Sequence, residues 1–410
     1  MASADVLMPS ATTSSWTAPP ADNTIPPLAK DAFDPEKHLN FAPPAKVFTM
    51  KDIGLPEHTG VSPLAVSEPF PLFTPEAVMR MREEVLSHDV LTKCQYSSNL
   101  AQAQLRGYAD KLVSLFLSLY YTLTPFLLSP GPFPPSSVFS SPFLPSLPTT
   151  YLLPPPFSLS NPFPPPRYAP FVYSAWKHPT TLAHISSVAG IDLTLQFDFE
   201  IGHINLSSPP PQKPPPSLTT SPSSPSTTTD TDVEKDTPTD IPIVGWHRDS
   251  YPFVCVTMLS DCTTMLGGET ALRTGRPGEI LKIRSPQMGH AIVLQGRYIE
   301  HQALAAFGSA ERITMVTSYR PRSAMVRDDS VLSTVRGISD LGELYYQFLR
   351  YRLEIVGERV GGMLRELEEG KREGRGVEVG RVKKFLGEME DLLARTNKEI
   401  VEEGEVRRGH

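Results

Sequence analysis

The stretch Gly245-Trp246-His247-Arg248-Asp249-Ser250, leading into the apolar run 251–259, decides how this chain is read. In an extended strand, residues i and i+2 point to the same side, so His247 and Asp249 aim at one point. A third group directed there has to come from another strand. His301 follows the run 291–295 and a short turn, 52 residues after Asp249. Arg312-Ile313-Thr314 opens a further β-like run eleven residues after His301. Guanidinium and hydroxyl at i and i+2 again share a face, and the planar fork of an arginine takes a carboxylate bidentately.

His-x-Asp alone is a weak signal. The specificity lies in the combination with a distant histidine and an Arg-x-Thr strand. Two histidines and one carboxylate with open positions form a facial triad suited to non-haem Fe(II). Three protein ligands on an octahedral ion leave three positions open.

Around these residues the pattern is that of a mainly β core. Leu193, Leu195, Phe197, Phe199 and Ile201 alternate with Thr194, Gln196, Asp198 and Glu200, which predicts a strand. Short runs at 251–259, 279–283, 291–295 and 312–319, separated by turns with Gly and Pro, predict a sandwich or barrel. Upstream, Thr74-Pro75-Glu76 opens a helix, with Thr as N-cap and Pro at the first helical position. Val78, Met81, Val85 and Leu86 give that helix its apolar face. Residues 168–188 read as helical. At the end of the chain, two stripes predict packing helices: Leu341, Leu344, Tyr345, Phe348 and Ile355, then Val382, Phe385, Leu386, Met389, Leu392, Leu393, Thr396 and Ile400.

Composition sets the boundaries. The chain has 410 residues and 44 prolines, about twice the usual share of roughly 5%. Residues 1–40 are an aperiodic lead, expected to be disordered. Residues 41–111 form an extended and helical flank. Residues 112–166 contain no charged side chain for 55 positions and consist almost entirely of Leu, Phe, Ser, Pro, Thr and Tyr. All six can be encoded by pyrimidine-rich codons, so the segment reads as a translated intron or late insertion, and Pro125 argues against a membrane span. The core occupies 167–322 and carries a Pro/Ser/Thr-rich loop at 207–240, expected to be disordered. Helices fill 323–410. The net charge of −7 and the interspersed basic residues give no nucleic-acid footprint. Three scattered cysteines make neither a disulfide framework nor a zinc site, and no secretory signal opens the chain, so an intracellular, cytoplasmic setting is expected.

Together, His247-x-Asp249, His301 and Arg312-x-Thr314 resemble the signature of the Fe(II)/2-oxoglutarate oxygenase superfamily, over about residues 190–322. Gly267-Gly268-Glu269-Thr270 is similar to a strand motif of its prolyl-hydroxylase-like members. Ile201-Gly202-His203 ahead of Trp246-His247 is similar to the entry strand of that core. Residues 50–82 and the C-terminal helices resemble uncharacterised fungal members. The resemblance implies a double-stranded β-helix (jelly roll) with flanking helices. It implies Fe(II) on His247, Asp249 and His301, and 2-oxoglutarate chelating the iron while Arg312, beside Thr314, holds its far carboxylate. Dioxygen would be consumed, ascorbate would serve as reductant, and succinate and carbon dioxide would be released as a small organic substrate is oxidised. The loop 207–240 departs from the family pattern.

Other readings stay open. The chain could be an inactive jelly roll that binds a ligand or protein. A cupin-type dioxygenase is disfavoured, since His-x-His with a nearby Glu is absent. A jumonji-type site would use a lysine in place of Arg312, and Lys282 could be mistaken for it, but the Arg-x-Thr placement argues against that. His290 rivals His301, and Arg320 rivals Arg312. Glu269 and His203 read as structural strand residues and Trp246 as a packing wall, while Tyr251 and Tyr298 are candidates to line a pocket. Substrate identity and oligomeric state are not legible.

Overall fold

The computed structural model describes residues 32–96, 104–105, 168–207, 242–284, 287–308 and 311–406. The expected insertion 112–166 lies outside them, as does the loop 207–240 apart from its first residue. Most of the expected lead, 1–40, also lies outside. Its last part does not: Phe33 and His38 are buried, and Pro35–His38 forms a short helix, α1.

In chain order the described strands are β1 (Val47–Thr49), β2 (Leu64–Ser67), β3 (Phe70–Pro71), β4 (Gln95–Tyr96), β5 (Gln104–Leu105), β6 (Leu193–Leu195), β7 (His203–Ser207) and β8 (Pro242–His247). They continue as β9 (Phe253–Met258), β10 (Leu266–Gly267), β11 (Thr270–Arg273), β12 (Ile280–Ile283), β13 (His290–Leu294), β14 (His301–Leu304), β15 (Ala306–Phe307) and β16 (Arg312–Pro321). The helices after α1 are α2 (Pro75–Val85), α3 (His88–Lys93), α4 (Pro170–Lys177), α5 (Pro179–Ala189), α6 (Leu341–Arg372) and α7 (Val379–Glu399). A ten-stranded sheet runs β1-β2-β13-β9-β16-β7-β5-β4, with β3 joined to β13 and β6 to β16. A four-stranded sheet runs β12-β11-β14-β8, and β10 pairs with β15. All these strand pairings are antiparallel.

The large sheet is apolar on both faces because both are covered. On one face, Cys255, Val293, Ile313, Met315 and Tyr319 pack under Val78, Met81, Trp176 and Ile185 of α2, α4 and α5. On the other, Val254, Ile292 and Leu294 share a cluster with Leu272 and Ile283 of the small sheet, and Val316 packs against it. Period-2 alternation therefore sends the even-numbered residues of β16 toward the small sheet.

The helix starts follow local chemistry. The Thr74 hydroxyl accepts the Ala77 N–H at 3.3 Å, Pro75 occupies the first turn, and Val78, Met81 and Val85 are buried, as the sequence predicts. The helical pattern 168–188 divides in two at His178. The His178 ring takes the Thr180 N–H at 3.2 Å and Pro179 starts α5 afresh.

The strand predicted over 193–201 is cut short. β6 ends at Leu195 and a 3-10 turn, Asp198–Glu200, follows. Side chains that alternation would send to solvent are bonded inside: Gln196 donates to the Tyr351 hydroxyl, Asp198 meets Lys177 and Tyr173, and Glu200 accepts from Tyr251. At the C-terminus the first stripe is confirmed, with Leu344, Phe348 and Ile355 buried against Phe197, Phe199 and Tyr251. The second is narrower than predicted. Met389, Leu392 and Thr396 are buried, but Leu386 and Leu393 are 53% and 47% exposed, because α7 packs on one edge only. Among the described residues no helix is long and apolar enough to cross a membrane.

Trp176 is fully buried, edge-on to Phe73 at 5.2 Å, with its indole N–H 3.0 Å from the Met315 sulfur. Trp176→Ala should lose roughly 3–5 kcal/mol of unfolding free energy. Leu386→Ala should change it by less than about 0.5 kcal/mol. Chemical denaturation of the two variants checks the assignment of core and surface.

Candidate metal centre

Three segments meet at one point. His247 ends β8, and His301 begins β14 directly opposite it across the antiparallel pair, with the ring centroids 4.4 Å apart. Asp249 lies two residues past His247, beyond the strand. Its N–H donates to the Gly296 carbonyl at 3.0 Å, which ties it to the turn between β13 and β14.

Hydrogen bonds on the far side of each ring fix which nitrogen faces inward. His247 Nδ1–H donates to the Gly245 carbonyl at 2.7 Å, and His301 Nδ1–H donates to the Ile299 carbonyl at 2.9 Å. A carbonyl cannot donate, so the neutral rings present their Nε2 lone pairs to the centre. There His247 Nε2 lies 3.5 Å from Asp249 Oδ1, and His301 Nε2 lies 3.6 Å from Asp249 Oδ2. Asp249 Oδ2 is buried and has no hydrogen-bond partner among the described residues. The three ligand atoms fall within 4.8 Å of one another, and this is the one such group of His, Cys, Asp and Glu among the described residues.

Acceptors converging without a donor fit a cation. Ligand atoms about 2.1 Å from one ion are separated by roughly 3–3.5 Å, depending on the angle between them. The protein's own electrostatics agree. Burial opposes charge on His247, but Asp249 outweighs it and holds the pKa above the usual histidine value. Burial pushes the His301 pKa down despite Asp249 beside it. Burial would raise the Asp249 pKa, yet His301 and His247 hold the carboxyl below its usual range. The carboxylate is therefore ionised and the His301 ring neutral, the forms that bind a metal, while a metal on His247 competes with the proton that Asp249 favours there.

Arg312 and Thr314 are buried at the start of β16, on the face turned toward the small sheet. The Arg312 guanidinium reaches the Gly268 carbonyl at 3.5 Å. Gly267 and Gly268 both have φ of 77°, and a Cβ on Gly268 would stand 3.4 Å from Arg312 Nε. The Gly-Gly pair thus turns the chain and leaves room for the guanidinium.

The other sequence candidates fall elsewhere. His290 opens β13, with its ring near the Met288 carbonyl at 3.4 Å, and lies outside the metal group. His203 also lies outside it. Trp246 packs under the Arg273 guanidinium at 4.5 Å. Arg320 stacks on Tyr351 at 4.2 Å, and Lys282 is exposed on β12. Tyr251 is buried and bonded to Glu200; Tyr298 is buried beneath Arg327 at 5.4 Å. Glu269 is partly buried and contributes a backbone acceptor to Leu304. The sequence reading missed the carbonyls of Gly245 and Ile299 and the whole turn around Gly296. Backbone acceptors carry no residue-type signal.

No protein-family model and no curated protein matches the chain. Solved structures similar to it include an oxidoreductase of the 2OG-Fe(II) oxygenase family from Burkholderia pseudomallei, at 15% identity and a TM-score of 0.25, over 37% of this chain and 55% of that one. A Pseudomonas putida prolyl-4-hydroxylase matches at 15% identity and a TM-score of 0.20, over 35% of this chain and 61% of its own length. The non-heme alpha ketoglutarate dependent epimerase SnoN from nogalamycin biosynthesis matches at 15% identity and a TM-score of 0.24, over 65% of this chain and 93% of its own. The chain thus spans little more than half the length of the first of these.

His301→Ala should abolish stoichiometric Co(II) or Fe(II) binding while leaving far-UV circular dichroism unchanged, because the lost ring is one of three converging ligands. Metal retained at one equivalent in this variant would exclude the site.

Proposed function

We propose that this chain is a non-haem Fe(II)- and 2-oxoglutarate-dependent oxygenase acting on a small organic molecule, with hydroxylation as its reaction. The observation that carries the reading is the convergence of two imidazole lone pairs and an ionised carboxylate. A buried arginine and threonine on the opposing sheet complete it. His247, Asp249 and His301 would hold the iron. When bound, the iron supplies the redox and dioxygen chemistry that no side chain provides.

The remaining groups do the positioning. Arg312 would fix the far carboxylate of 2-oxoglutarate through its planar fork, and the Thr314 hydroxyl, two residues along the same face, would add a second donor. Arg312 sits against Gly268, whose N–H bonds the Ala305 carbonyl just beyond β14, and His301 begins β14. Four residues of strand, roughly 13 Å, separate the two ends. A five-carbon diacid lying along β14 would reach from one toward the other, with side chains closing the distance at each end. Arg312 is buried, and a charge-assisted hydrogen bond from its guanidinium to a carboxylate is stronger than one to a neutral acceptor. The two facing sheets would form a double-stranded β-helix, with the site at one end of the space between them.

The test is release of succinate from 2-oxoglutarate by purified protein with Fe(II) and ascorbate, screened over pools of small metabolites. His247→Ala should give none. Arg312→Ala should raise the 2-oxoglutarate requirement by a factor corresponding to about 2–5 kcal/mol while iron binding stays near that of the wild type. An unchanged requirement in this variant would remove Arg312 from the site.

A further inference from the structure

The turn between β13 and β14 uses Gly296 in a way that backbone conformation does not explain. Its φ lies outside the left-handed region, so another residue could adopt its conformation. Space is what forbids one. A Cβ built on Gly296 would lie 1.8 Å from Asp249 Oδ2 and 2.7 Å from Asp249 Cγ. The carboxylate occupies the volume a side chain at 296 would fill, and the Gly296 carbonyl holds the Asp249 N–H at 3.0 Å. Backbone and carboxylate of Asp249 are thus both located by one residue.

The same turn is anchored from the other side. Gln295 is fully buried, its Oε1 accepts the Val61 N–H at 2.9 Å, and its Nε2 donates to the Ser62 carbonyl at 3.0 Å and to the Leu64 carbonyl. Gly60 is also required for space, since a Cβ there would meet Gln295 Oε1 at 2.5 Å. Further along, the Tyr298 and Ile299 N–H groups close on the Gln295 carbonyl at 3.0 and 3.3 Å. Ile299 then supplies the carbonyl that orients His301. Two of the three convergent ligands therefore hang on residues 295–299, and these hang on the N-terminal segment 60–64.

We infer that Gly296 is a positioning residue for the metal carboxylate and that Gln295 locks its turn to the N-terminal segment, making 60–64 part of the metal centre's support. The inference rests on the reading of His247, Asp249 and His301 as a metal site. Outer groups that orient ligands typically govern metal affinity by roughly 10- to 100-fold.

The test is titration of the full-length protein with Co(II), followed by the visible absorption of the bound ion, together with thermal melts of the metal-free protein. Gly296→Ala should weaken Co(II) binding by roughly 10- to 100-fold and change the band shape, because the carboxylate is displaced. Gln295→Ala should weaken it in the same direction. Gly357→Ala, where an added Cβ meets nothing within 4 Å, should leave the titration unchanged. Should Gly296→Ala prove too unstable to titrate, melts decide. The loss of Tm it causes should be much smaller in the Asp249→Ala background, where the obstructing carboxylate is gone and only the Cβ at 3.2 Å remains. Wild-type affinity and band shape in Gly296→Ala, or an equal loss of Tm in both backgrounds, overturns the inference while leaving the metal site intact. No Co(II) bound by the wild type would remove the site, and the inference with it.

Discussion

Everything about this molecule's chemistry depends on three hydrogen-bond acceptors being brought together without a donor among them. Two imidazole nitrogens, each 3.5–3.6 Å from one of the two oxygens of a carboxylate, are an unfavourable cluster unless a cation sits between them. Protonation of one ring is the alternative: burial resists it at the deeper ring, His301, while Asp249 favours it at His247. The fold sustains the arrangement through backbone carbonyls: Gly245 and Ile299 hold the outer nitrogens of the rings, and Gly296 holds the Asp249 backbone. A carbonyl has one role as an acceptor, so it selects the tautomer as well as the orientation.

What the sequence reveals of this site and what it conceals divide along the same line. His247, Asp249 and His301 are legible because side-chain identity and strand periodicity name them. The same periodicity picks out Arg312 and Thr314, and the structure puts both on the face turned toward the small sheet. The supports are not legible. A carbonyl at 245 or 299 belongs to every residue type, and the need for glycine at 296 appears only when a carboxylate 47 positions away in sequence is found in its Cβ volume. The same limit cuts the strand predicted at 193–201. Its alternation is real, but Gln196 and Glu200 find buried partners in Tyr351 and Tyr251, from segments that periodicity within one strand cannot see.

The large sheet shows why the core signal is nonetheless strong. With α2, α4 and α5 on one face and the small sheet on the other, β9, β13 and β16 are buried on both sides. β9 and β13 read as near-continuous apolar runs where a half-exposed strand would alternate, while β16 mixes Ile313, Met315, Val316 and Tyr319 with polar residues. In such strands a polar residue stands out, because burying it requires a partner or a function. Arg312 and Thr314 are conspicuous against Ile313 and Met315 for that reason. Leu386 and Leu393 mislead for the converse reason: an exposed leucine on a helix carries no such requirement.

The loop that carries Asp249 is held from a third direction by the C-terminal region. The Ser250 carbonyl, next to Asp249, accepts the Val331 N–H at 2.9 Å, and Arg297 bridges the Asp329 carbonyl at 3.0 Å and the Asp249 carbonyl at 3.5 Å. Arg352 of α6, 1% exposed, then donates to the carbonyls of Asp328 and Ser330, both at 3.1 Å. An irregular loop brought into the interior carries carbonyls that no sheet or helix ladder satisfies. Apolar packing could cover such a loop but would leave those acceptors empty. A guanidinium has five donors in a fixed plane and satisfies two carbonyls at once, with Asp328 3.8 Å away to offset its charge. Burying an arginine is expensive, and the expense is tolerable because the alternative is an unsatisfied loop beside Asp249. The long helix α6, which the sequence marks only as a packing element, is therefore also the element that fixes residues 328–331 against the Asp249 segment.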